Sequence, residues 1–91
     1  SDPSLIRSTR VEPVYPVAMR RKRVSAKVAY DCLVQEDGML LAGPLKSAPP
    51  DVSFLYSARH CMRFWRYEPA RVDGIAEPAL INVEIEYVIE R

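Results

Sequence analysis

The sequence predicts an α+β domain in which two helices pack on one face of a three-stranded antiparallel sheet. Two stretches of two-residue alternation, at 24–35 and 79–90, and one stretch of apolar residues spaced by three and four, at 54–65, carry that prediction. The elements come in the order helix, strand, strand, helix, strand, so the long helix must cross the sheet to deliver the last strand. With short connections and a right-handed crossover, the strand order is second, first, third, which leaves the last strand as an open edge.

Residues 1–12 are polar and without sustained periodicity, and they read as a flexible N-terminal arm or linker end ahead of a domain at 13–91. Pro13 and Pro16 impose an extended backbone around Val14 and Tyr15, and Pro16 suits the first turn of a short helix over Val17–Lys22. Val24, Ala26, Val28, Tyr30, Cys32 and Val34 then share one face of a strand, with Leu33 the one large apolar residue on the other. Glu36-Asp37-Gly38 makes a hairpin turn into a second strand at Met39–Ser47, whose Gly43-Pro44 pair places it at a sheet edge or a bulge.

Asp51 is an N-cap for the helix that carries Phe54, Leu55, Ala58, Cys61, Met62 and Trp65 on one stripe, so Trp65 reads as core. Pro69 and Gly74 end that region. In the last strand Ala79, Ile81, Val83, Ile85, Tyr87 and Ile89 alternate with Leu80, Asn82, Glu84, Glu86, Val88 and Glu90. This strand holds no proline or glycine from Ala79 to Ile89, and an open edge of that length is either used by a partner or guarded by its own glutamates.

With 91 residues, 48% hydrophobic and 27% charged, the chain has room for one domain. The formal charge of +1 excludes a uniformly basic coat, although Arg20, Arg21, Lys22 and Arg23 form a local run. That run complements the end of a helix dipole, or it meets an anionic partner surface. Outward strand residues Lys27, Asp31, Asn82, Glu84 and Glu86 are too acidic for an RNA-binding sheet, so no nucleic acid is expected. No apolar stretch reaches the length of a membrane span. His60 falls on the solvent side of its helix, the three glycines are scattered, and no acid, base or nucleophile cluster converges. An enzyme, a metal site and a cofactor are therefore not expected. Cys32 and Cys61 both fall on inward faces and are compatible with one disulfide or with two buried thiols.

Pro13-Val14-Tyr15-Pro16 with Ala18, Asp37-Gly38, Ser47-Ala48, the run Met62-Arg63-Phe64-Trp65-Arg66-Tyr67-Glu68-Pro69-Ala70, and Gly74 occur in an order that resembles the TonB C-terminal family. The resemblance covers roughly residues 12–90, and Trp65-Arg66-Tyr67-Glu68-Pro69 is its most specific part. It implies the periplasmic domain of an inner-membrane-anchored energy transducer that works with a proton-driven motor complex in uptake of iron or vitamin complexes. It also implies a partner, the Ton-box segment of an outer-membrane transporter, lying along Ile81, Asn82, Val83, Glu84, Ile85, Glu86 and Tyr87 and near Glu12, Pro13, Val14, Tyr15 and Pro16. Weak self-association is compatible with it. Val24 stands where the family commonly has glycine, and Gly43-Pro44, Cys32 and Cys61 lie outside its pattern, as in a specialised member. The rival readings are a TolA-like envelope domain and a small nucleic-acid-binding module.

Overall fold

The computed structural model describes residues 1–90, and the long axis of the molecule is 50 Å against 25 and 19 Å for the others. Its elements are β1 (Ser4–Leu5), a 3-10 turn (Arg7–Thr9), α1 (Val17–Arg21), β2 (Ala26–Val34), β3 (Leu40–Leu45), α2 (Val52–Met62), β4 (Tyr67–Glu68), β5 (Ala70–Val72), β6 (Ile75–Glu77) and β7 (Ala79–Tyr87). The class is α+β with two helices and antiparallel sheets. The central sheet has the order β3-β2-β7.

The expectation of a single sheet is incomplete, because two further two-stranded pairings, β1 with β4 and β5 with β6, stand beside the central one. Gly74, read from sequence as a terminator with Pro69, instead forms with Asp73 the turn of the β5–β6 hairpin. Both residues have positive φ, 52° and 78°, between the paired Val72 and Ile75, which is the geometry of a two-residue primed turn. Ser4 and Leu5 pair with Glu68 and Tyr67, and the Ser1 amino group donates to the Arg71 carbonyl at 2.6 Å, so residues 1–5 run antiparallel to 67–71.

The core forms where the even residues of β2 meet α2. Val28, Tyr30, Cys32 and Val34 pack with Phe54, Ala58, Cys61 and Met62, and Val83, Ile85 and Tyr87 join them from β7. Met19 of α1 joins the same cluster. Each large apolar side chain so enclosed contributes about 1.5–3 kcal/mol. Trp65 is 3% exposed, but it lies beyond the helix, which ends at Met62. Its indole Nε1 donates to the Val11 carbonyl at 3.0 Å, and the next two backbone N–H groups donate to the Thr9 hydroxyl and the Gly38 carbonyl. Those tertiary acceptors end the helix where local spacing would have continued it.

On the far side of β2, β3 pairs with a register break between Tyr30 and Cys32. Asp31 of β2 there faces two residues of β3, so the extra residue sits at Gly43-Pro44. The bulge blunts that edge, whereas the β2–β7 ladder runs from Ala26↔Tyr87 to Val34↔Ala79 without a break.

Candidate functional site

The free edge of β7 is the candidate site, and the pairing of β2 fixes which of its backbone groups are available. Ala29 turns its backbone toward β3, where its carbonyl accepts from Lys46 at 2.7 Å and its N–H donates to the Ser47 hydroxyl at 3.0 Å. Gln35 likewise donates its N–H to the Met39 carbonyl at 2.9 Å. Odd residues of β2 thus serve β3, and even ones serve β7. Val28, Tyr30 and Cys32 stand opposite Ile85, Val83 and Ile81, so those three carry the ladder bonds. Asn82, Glu84 and Glu86 are left with N–H and C=O directed to the open side.

Side chains follow the same alternation. Val83, Ile85 and Tyr87 are buried and Ile81 is half-buried, so these four of the expected partner-facing residues build the core wall behind the edge. Asn82, Glu84 and Glu86 are exposed on the other face of the sheet. Glu84 pairs with Lys27 at 3.3 Å, and Asn82 donates to the Tyr30 carbonyl at 3.4 Å.

The Pro-Tyr-Pro arm is fastened to the end of this edge by aromatic contacts. The Tyr15 hydroxyl donates to the Val24 carbonyl, and its ring stands edge-on to Phe54 at 6.0 Å and to Tyr87 at 5.6 Å. The Tyr87 hydroxyl donates to the Ser57 hydroxyl at 2.9 Å, and Ser57 donates to the Val14 carbonyl. Burial pushes the Tyr87 phenol above its usual pKa, so it remains a donor at neutral pH. Pro16 precedes the first turn of α1, Pro13 is half-buried and the Val14 side chain is exposed. Glu12 pairs with Arg10, whose guanidinium lies 5.0 Å from the Trp65 ring, so this residue belongs to the Trp65 end of the arm. The structure therefore brings Tyr15 against Tyr87 and ties Glu12 elsewhere.

A groove lined by Tyr15, Arg20, Arg23, Val88, Ile89 and Glu90 opens just past β7. The four-cation run was the sequence signal for its two arginines. That they border the groove follows from the turn at Arg23, which adopts φ 58° to bring the chain from α1 into β2.

Cys32 and Cys61 are buried free thiols, and no disulfide joins them in this structure. Each donates to a backbone carbonyl, Cys32 to Tyr30 at 3.8 Å and Cys61 to Ala58 at 3.2 Å. Burial raises the pKa of both, which keeps them protonated and unreactive as small core hydrophobes. His60 is exposed and stacks edge-on against Phe64 at 5.7 Å. Among the described residues no three His, Cys, Asp or Glu side chains converge to hold a metal ion, and no helix is long and apolar enough to cross a membrane.

The chain is 25% identical over 88 residues to Protein TonB of Vibrio cholerae serotype O1, a match covering 97% of this chain and 36% of that relative. It thus spans about a third of the relative's length. The solution NMR structure of Pseudomonas aeruginosa TonB CTD is similar in fold, with a TM-score of 0.72 at 22% identity, covering 100% of this chain and 90% of that one. Residues 11–89 match the family described as Gram-negative bacterial TonB protein C-terminal. That span reaches from the Val11 carbonyl beneath Trp65, through the whole core, to Ile89 beyond β7, and the chain belongs to the TonB C-terminal family.

Proposed function

We propose that this chain is the periplasmic domain of a TonB-type energy transducer, and that it grips the Ton-box segment of an outer-membrane transporter as a strand added to the open edge of β7. The rest of the transducer would engage a proton-driven motor complex in the inner membrane, so that the grip couples proton-motive force to active uptake. The domain itself carries no catalytic role in this reading. The observation that supports it best is the edge: a nine-residue strand, unbroken and bonded on one side only, with a bulge blunting the opposite edge of the same sheet.

Backbone bonds would supply most of the hold, since an extended peptide satisfies the outward N–H and C=O groups of Asn82, Glu84 and Glu86 with little demand on its own side chains. Tyr15, Pro16 and the groove past Tyr87 border the place where such a segment would leave the edge. Affinity is expected to be modest, because ordering a flexible segment offsets part of the gain. Amide hydrogen exchange with and without a Ton-box peptide tests the reading. Protection is expected at Asn82, Glu84 and Glu86, whereas Ile81, Val83 and Ile85, already bonded to β2, should change little. Protection along Leu40–Leu45 instead, or binding without protection of any strand amide, would refute it.

A further inference from the structure

Strand addition does not by itself select a partner, but the solvent face of the central sheet carries features that would. At one end of that face three leucines stand in register across the strands, with Leu33 opposite Leu41 on one side and Leu80 on the other. Leu80, outermost in the row, is 80% exposed. An apolar side chain arriving beside it would lengthen the row, as cross-strand apolar neighbours do in any sheet.

Further along the same face the charges are matched except for one. Lys46 stands 3.4 Å from Asp31, and Lys27, although opposite Glu86 in register, turns its ammonium to Glu84 at 3.3 Å. Among the described residues Glu86 makes no ion pair. Leu80 and Glu86 lie on one strand with the same parity, so they present to an added strand one apolar and one anionic neighbour about 20 Å apart.

We infer that the segment accepted by β7 carries, on its outward face, an apolar residue beside Leu80 and a cationic residue beside Glu86, six positions apart. This rests on the strand-addition reading. Acidic residues at the second position are disfavoured, because a like charge set beside Glu86 is repelled and Lys27, the lysine opposite Glu86 in register, is already paired with Glu84.

Four synthetic peptides, each matching the nine residues of β7 in length, test the inference. One has leucine second and lysine eighth, one has the reverse order to allow for strand direction, and two repeat these with glutamate for lysine. Binding is followed by amide exchange at Asn82, Glu84 and Glu86 and by titration at low salt. In one of the two orders the lysine peptide is expected to bind roughly three- to tenfold more tightly than its glutamate counterpart. Glu86→Gln should remove that preference, Glu86→Lys should invert it, and Leu80→Asn should weaken both peptides while leaving it intact. Equal binding of the lysine and glutamate peptides, with the three amides protected, overturns the inference and leaves strand addition standing. Failure of all four peptides to protect those amides overturns both.

Discussion

Gly38 sits where the β2–β3 hairpin meets the segment after α2, with φ at 84° and its carbonyl accepting from the Tyr67 N–H at 2.9 Å. A Cβ at this position would overlap the Tyr67 carbonyl oxygen, which is backbone and has no rotamer to yield. Gly38→Ala therefore meets both the left-handed penalty and a clash that pushes β4 away from the central sheet. A loss of about 2–4 kcal/mol is expected, read as a lower denaturant midpoint. Gly74 is the matched control, because its φ is 78° but a Cβ there meets open space. Gly74→Ala should cost only about 1 kcal/mol. Equal losses at the two positions would show that packing against Tyr67 contributes nothing. Tyr15 illustrates a different limit on single residues. Its hydroxyl bond to the Val24 carbonyl and its edge-on contacts with Phe54 and Tyr87 pin the arm to the domain, and no local pattern encodes those partners.

Helix α2 depends on Asp51, whose side chain accepts from the Ser53 N–H at 2.9 Å and so satisfies a first-turn donor. The hydroxyl and backbone N–H of Ser53 hold the Asp51 carboxyl below its usual pKa. A carboxyl depressed on folding contributes stability above its unfolded pKa and loses it as pH falls through the lowered folded value. Asp51→Ala should therefore lower the melting temperature at neutral pH, and the gap to the parent should narrow below about pH 4. A gap constant down to pH 2 would deny the charge any part in the cap. What the sequence made legible was elements whose periodicity is long: β2 and β7 through nine alternating residues each, and α2 through its apolar stripe and cap. The Gly43-Pro44 bulge was also readable, because proline has no N–H to give a ladder. Short elements escaped. Ser4–Leu5 and Tyr67–Glu68 are too brief to show a period and exist only because each pairs with the other. Asp73-Gly74 did carry a hairpin signal, with Val72 and Ile75 around it, that the nearby proline obscured.

At the scale of the whole molecule, charge is divided between the cationic run Arg20–Arg23 at the end of α1 and the carboxylates of Glu84, Glu86 and Glu90 in and beyond β7. Exposed charges so placed act on the rate of encounter more than on the final grip. Replacing Arg21 and Arg23 by Gln is expected to slow association with a Ton-box-bearing receptor in stopped-flow measurements at low salt, with the difference fading as salt rises. An unchanged rate would return the run to its part at the helix end. The candidate site was legible at the same scale, since an edge strand is defined by topology and the order of elements left few topologies to choose from. Which backbone groups face outward was not legible, because parity along β7 is set by the bonds that Ala29 and Gln35 make to the other neighbour of β2. The nine-pair ladder between β2 and β7 has a mechanical corollary. Its bonds stand across the strands, so tension applied along β7 loads all of them together, whereas the interrupted β2–β3 pairing offers a place to start peeling. A slip of even one residue would turn the buried side chains of β7 to solvent, so under lengthwise load this ladder holds at full strength until it gives way as a unit.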